Sequence, residues 1–185
     1  MRKNFGVKGW LYPQPVMIIA AYDENGVPCA MNAAWGGMCD YNAIIMDIAQ
    51  SHKTVKNLMA KGEFTVSIAD APHVLQADYV GVVSGNDVPD KLAKASLTVS
   101  KAEFVDAPVI EEFPITLECK FRKVTDEGIV GEIVNVSVAQ RVLDENGNID
   151  VAKLQVITYD PANHGYYVLG EKVGNAFSDG KQLIK

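Results

Sequence analysis

Gln50-Ser51-His52-Lys53-Thr54-Val55-Lys56-Asn57-Leu58 is the stretch from which the fold is read outward. Ser51 is a good helix N-cap, and Val55, Leu58 and Met59 follow at the three-and-four spacing of a buried stripe, so a helix is expected to start at Ser51. Gly62 ends it as a C-cap glycine does. On both sides the period changes. Ile44, Met46 and Ile48 share one strand face within Asn42 to Gln50, and Phe64, Val66 and Ile68 alternate with Thr65 and Ser67. The helix is therefore a connection between strands, and the strands set the architecture.

Towards the N-terminus, the apolar run Pro15 to Tyr22 stops at Asp23-Glu24-Asn25-Gly26, a hairpin signal. The return strand runs from Val27 towards Trp35, where Ala30, Ala33 and Ala34 leave backbone accessible to a flat ligand on either side of Asn32, and Gly36-Gly37 is expected to break it. Towards the C-terminus, Ala71-Pro72 can open a second helix reaching Ser84-Gly85, and a short helix is expected near Asp90 to Ala95. Ser96 to Pro114, interrupted by proline, reads as edge strands and loop wrapped on a barrel. Leu117, Cys119 and Phe121 alternate with Glu118, Lys120 and Arg122, expected to be a solvated face, and Thr125-Asp126-Glu127-Gly128 turns the chain into a partner strand, Ile129 to Val138. A last turn, Asp144-Glu145-Asn146-Gly147, precedes a short apolar piece from Ala152 to Tyr159. Six or seven short strands and few helices predict a mainly β fold with helical insertions, an antiparallel barrel or sandwich, as one domain over residues 1–185.

The helix start carries the chemistry. A helix is positive at its N-terminus and prefers acids there, yet this first turn holds His52, Lys53 and Lys56 and no acid. Free N–H groups, the Ser51 and Thr54 hydroxyls and those cations become mutually favourable if an anion such as a phosphate ester docks among them. The chain has 17 basic and 23 acidic residues, net −6, without a long basic run, which argues against a nucleic-acid partner. It has neither an apolar segment approaching the roughly 20 residues of a membrane span nor a signal-peptide core, so a cytoplasmic protein with no membrane partner is expected. Cys29, Cys39 and Cys119 are widely spaced, as reduced packing thiols would be, with Cys39 alone in a loop context where it could react. His52, His73 and His164 lack ligand spacing, so no metal site is expected. No Gly-x-Gly-x-x-Gly, Walker, Gly-x-Ser-x-Gly or His-Glu-x-x-His signature occurs. A phosphate on the helix start with a planar ring along Ala33-Ala34 describes flavin mononucleotide, FMN. Such a cofactor would carry the electron chemistry itself and leave the protein to position it.

The ordered set Pro15 to Tyr22 with Asp-Glu-Asn-Gly, Asn32-Ala33-Ala34-Trp35, Ser51-His52-Lys53-Thr54 and Gly62-Glu63-Phe64-Thr65-Val66-Ser67-Ile68 resembles the flavin reductase-like, FMN-binding split-barrel proteins, with the flavoredoxins the nearest-looking branch. Asp78-Tyr79-Val80-Gly81-Val82-Val83-Ser84-Gly85, Leu117-Glu118-Cys119 and Tyr166-Tyr167-Val168-Leu169-Gly170-Glu171 continue the likeness. The resemblance implies a split barrel in which Asn32, Ala33, Ala34 and Trp35 lie along the isoalloxazine and Ser51, His52, Lys53 and Thr54 hold the phosphate. It also implies a homodimer with flavin near the interface, to which Tyr166 and Tyr167 are candidate contributors. Trp35 could instead plug the barrel. The implied activity is an oxidoreductase passing electrons from a reduced donor, such as NADH, NADPH or a protein, through FMN to a small acceptor or partner protein. The alternative is a non-catalytic electron carrier or ligand-sensing barrel. Only His164-Gly165 stands where related reductases carry a glycine- and histidine-containing segment, which leaves the donor open.

Overall fold

The computed structural model describes residues 1–184. From the N-terminus come β1 (Gln14–Pro15), β2 (Met17–Tyr22), β3 (Pro28–Ala33), β4 (Gly36–Asp40) and β5 (Ala43–Met46), then α1 (Lys53–Lys61) and β6 (Glu63–Ile68). Next are α2 (Val74–Val82), α3 (Lys91–Lys94), β7 (Val99–Lys101), β8 (Pro108–Ile110) and the long hairpin β9 (Ile115–Thr125) and β10 (Gly128–Val138). After it come α4 (Val151–Leu154), β11 (Ile157–Asp160) and β12 (Gly165–Val168).

Seven strands make one antiparallel sheet in the order β3-β2-β6-β9-β10-β5-β4, while β1-β11-β12 and β7-β8 form two smaller sheets. The edges of the large sheet, β3 and β4, are consecutive in sequence and do not pair with each other. Only Ala34 and Trp35 join them, and the three Cα steps from Ala33 to Gly36 span at most about 11 Å. The sheet must therefore curl until its two edges meet at that link. The result is a barrel left open along one seam.

β2 reads as an unbroken apolar run because both its faces are covered. Ile18 and Ala20 pack outward with Ala77 and Val80 of α2, Leu92 of α3 and Ile110 of β8. Met17, Ile19 and Ala21 face the barrel interior with Met46, Phe64, Val66, Cys119 and Ile129, among which Val55 and Leu58 of α1 are buried. The interior is tight enough that a Cβ on Gly131 would fall 2.4 Å from the Phe64 ring, and the strand pairing shifts register beside that glycine.

Four details depart from the expectations. The helix begins at Lys53, with His52 rather than Ser51 as N-cap and no side-chain cap, because the His52 N–H closes a turn on the Ala49 carbonyl (3.2 Å) and holds Ser51 outside. Gly36-Gly37 does not stop the chain pairing but opens β4. A Cβ on Gly36 would stand 2.5 Å from the Ile45 carbonyl oxygen, so only glycine lets the strand lie there. Glu118 is not on a solvated face: at 2% exposure it accepts from the Phe104 N–H and Asn135 Nδ2, covered by the loop between β7 and β8, whereas Lys120 and Arg122 pair with Glu63 and Glu132. Ala152 lies in α4, capped by the Asp150 carboxylate, and β11 starts only at Ile157.

Candidate functional site

The open seam is the mouth of a cleft of about 520 Å³, within the usual range for small-molecule sites. Asn32, Ala33, Ala34 and Trp35 form one wall, Ile48, Ala49 and His52 the base leading to α1, and Asp78, Gly81 and Val82 the side supplied by α2. Trp35 is 46% exposed and belongs to this rim, so it does not plug the barrel. Its carbonyl accepts from the Asp47 N–H (2.9 Å), which fixes the link between the two sheet edges.

Two side chains from the small sheet complete the cleft. Tyr159 lies 6.2 Å from Trp35 and 6.0 Å from Tyr166, centroid to centroid, in tilted arrangements. The Tyr166 hydroxyl donates to Asp78 Oδ1 (2.8 Å). Burial first, and then that carboxylate, push Tyr166 up to about 12, so it stays a protonated donor at ordinary pH. Tyr167, on the opposite face of β12, is exposed and lines neither this cleft nor its neighbour. Cys39, expected in a loop, instead lies exposed on strand β4 and also outside both cavities, because Gly36-Gly37 opens a strand rather than ending one.

A second cavity of about 200 Å³ continues from the first, sharing Met31, Asn32, His52, Gly81 and Val82 with it. The junction is held by Asn32, whose Nδ2 donates to the Ala77 carbonyl (2.9 Å). There Gly81 is required, since a Cβ would stand 2.9 Å from the Asn32 Cβ. Beyond it the lining includes Lys53, Thr54, Ser84, Gly85 and Lys91, with no acid. The first N–H groups of α1 have no intrahelical partner and no side-chain cap, so this lining is electropositive from backbone and side chains together.

The eight residues singled out from sequence divide here. Asn32, Ala33, Ala34 and Trp35 line the larger cleft, His52 lines both cavities, and Lys53 and Thr54 line the smaller one. Ser51 is exposed and in neither; its carbonyl accepts from Asn86 Nδ2 at 3.5 Å. Thr54 is 1% exposed and its hydroxyl donates to Cys29 Sγ (3.3 Å), leaving its N–H as the group to offer. Lys53 is not an unanswered charge: Asp23, on the β2–β3 turn, stands 3.5 Å from its Nζ. Sequence reading missed Lys91, which is 2% exposed, donates to the Val80 and Val83 carbonyls (2.8 Å each), and is lowered in pKa by burial. In Asp90-Lys91-Leu92-Ala93-Lys94 it looks like an ordinary surface helix cation. Tyr159 is equally without a local signal, while Asp78 and Gly81 stand in the Asp78 to Gly85 segment that carries the family likeness but have no site role there.

Comparison with known proteins places the fold. Flavoredoxin of Desulfovibrio vulgaris (Miyazaki F) superposes with a TM-score of 0.93 at 34% identity, covering 98% of this chain and all of that one. Flavoredoxin from Methanosarcina acetivorans gives 0.86 at 25% identity over 98% of this chain and 100% of its own. An uncharacterised protein of Aquifex aeolicus (strain VF5) is 26% identical over 165 residues, 82% of each chain. Residues 10–161 match the family described as the flavin reductase like domain, and the chain belongs to that family.

Proposed function

We propose that the paired cavities take one FMN molecule and that the protein is an oxidoreductase. The ring would lie in the larger cleft along Asn32 to Trp35 and the phosphate in the smaller cavity. The observation that carries this is the continuity of the two spaces: an aromatic cleft opens through Asn32, His52 and Gly81 into a pocket lined by two lysines and an uncapped helix start. An amphipathic ligand with a planar ring at one end and a phosphate at the other fits that sequence of environments. The similar flavoredoxin folds support the same choice.

FMN, when bound, supplies a ring that accepts and returns two electrons. The chain's own residues do the rest. Lys53, Lys91 and the Lys53 and Thr54 N–H groups would hold the phosphate; the β3 edge would set the ring's plane; Trp35, Tyr159 and Tyr166 would cover the seam and exclude water. Tyr166 keeps its proton at Oη, directed to Asp78. The donor would be NADH, NADPH or a reduced protein, and the acceptor a small molecule or partner protein. A second copy of the chain would cover apolar side chains left exposed before β1 and after β12, among them Phe5, Leu11, Leu169 and Phe177, giving a homodimer.

The test is the visible spectrum of the purified protein, taken before and after adding FMN and then each nicotinamide without oxygen. Flavin bands that appear and bleach support the reading. A protein that gains no flavin absorbance overturns the assignment of the cleft, and one that binds FMN but is bleached by neither nicotinamide needs a protein donor.

A further inference from the structure

The phosphate end is not closed. A third cavity, about 270 Å³, adjoins the second across Lys53 and Gly85 and is lined also by Asp23, Val27, Pro28, Cys29, Asn86 and Pro89. A flavin dinucleotide would send its second phosphate and its nucleoside into this space, where a mononucleotide has nothing. Its charge is unlike that of the second cavity, for among the described residues its only cation is the shared Lys53.

Asp23 is what makes it so. Its Oδ1 accepts from the Asn25 and Val27 N–H groups (2.9 Å each), and its Oδ2 faces Lys53 Nζ at 3.5 Å. The Val27 N–H above all, with those of Asn25 and the Lys53 cation, holds the carboxyl below its usual range, so it is a fixed negative charge. The same bonds occupy the turn N–H groups that could otherwise receive a phosphate, and the same ion pair uses the one cation. A second phosphate entering here would meet a carboxylate with its donors already engaged.

The geometry points to Asp23 as the residue that makes this site select a flavin mononucleotide over a flavin dinucleotide, an inference that rests on the phosphate lying beside Lys53. The test is calorimetric binding of FMN and of FAD to apoprotein, for the wild type, Asp23→Asn and Glu24→Gln. Asparagine keeps an acceptor for the turn N–H groups while losing the charge, and Glu24→Gln removes the same charge from the same turn outside the cavity. The wild type should favour FMN by at least about tenfold, and Asp23→Asn should cut that preference about tenfold by tightening FAD, the order expected of one like charge a few ångströms away near the surface. Glu24→Gln should leave the preference where it was. Equal wild-type affinities, a preference unchanged in Asp23→Asn, or FMN and FAD tightening together because Asp23 merely screens Lys53, would each overturn the inference while leaving FMN binding intact. A wild type that binds neither flavin would defeat the reading of the site itself.

Discussion

The larger cleft and the smaller cavity differ in almost every respect although they share a wall. The first is a seam between sheet edges, rimmed by Trp35, Tyr159 and Tyr166, with Asp47 and Asp78 its charged groups apart from His52. The second is a pocket between two helices, with Lys53 and Lys91 and no acid. On the proposed reading the contrast would orient the cofactor: one end would be attracted by charge and hydrogen bonds, the other by flat apolar surface, and reversal would place a phosphate among carboxylates. The junction at Asn32 and Gly81 is where the two halves are kept in register.

Breaking the junction should therefore have the largest effect. Gly81→Val puts carbon where Asn32 Cβ stands 2.9 Å from even a single Cβ, so α2 and β3 must part and the Asn32–Ala77 bond goes with them. FMN affinity should fall by at least about 100-fold and stability by about 1–3 kcal/mol, as overpacking does, measured by titration and by urea unfolding of the apoprotein. A variant that retains wild-type affinity would mean the two cavities are not one site.

Lys91→Met comes next. Methionine preserves length and apolar stem but removes the cation, and it leaves the Val80 and Val83 carbonyls at the end of α2 without their donor. Affinity should fall roughly 30-fold, with about 1–3 kcal/mol lost from the apoprotein for the unpaired carbonyls. A purely structural lysine would lower stability alone, and unchanged affinity in the folded variant would remove Lys91 from the phosphate site.

That Lys91 ranks above Ser51 shows where sequence reading stops. Strand periods and the helix after His52 are local patterns, and each lies where the residues predict within a few positions, with Asn32 to Trp35 running along the cleft. Ser51 looked like a cap because its hydroxyl and the following apolar spacing are local facts; the turn closed by Ala49 that displaces it is also short-range but leaves no residue signature. Asp78, Lys91 and Tyr159 lie 46, 59 and 127 residues beyond Asn32 in the chain and acquire their roles only when α2, α3 and the small sheet pack against β3. Glu118 failed in the same way, since alternation marks the face of a strand but not what covers it.

The two residues that sequence treated alike can be separated directly. Lys53→Ala should weaken FMN about five- to tenfold, less than Lys91→Met because Lys53 is partly exposed and already paired with Asp23. Ser51→Ala should change nothing beyond twofold error, because its side chain caps no helix N–H and it lines neither cavity. An equal loss for both by fluorescence titration would restore the hydroxyl at the helix start as a phosphate ligand.

The smallest effect belongs to the aromatic side and appears only with pH. Tyr166 is raised in the folded protein to about 12 by burial and by Asp78, whereas an unfolded tyrosine titrates near 10. Between those values the unfolded chain has released a proton that the folded one retains, so rising pH favours unfolding over this window, and below it the two states bind the same proton and the residue adds no slope. Tyr166→Phe should therefore leave the midpoint of urea unfolding nearly constant relative to wild type below about pH 9, then decline less steeply from about pH 10 to 12. Its tyrosinate absorbance should also lack the last component to titrate. Parallel curves for the two proteins through that window would show that Asp78 does not keep the Tyr166 proton in place, and the aromatic rim of the cleft would then be held by packing alone.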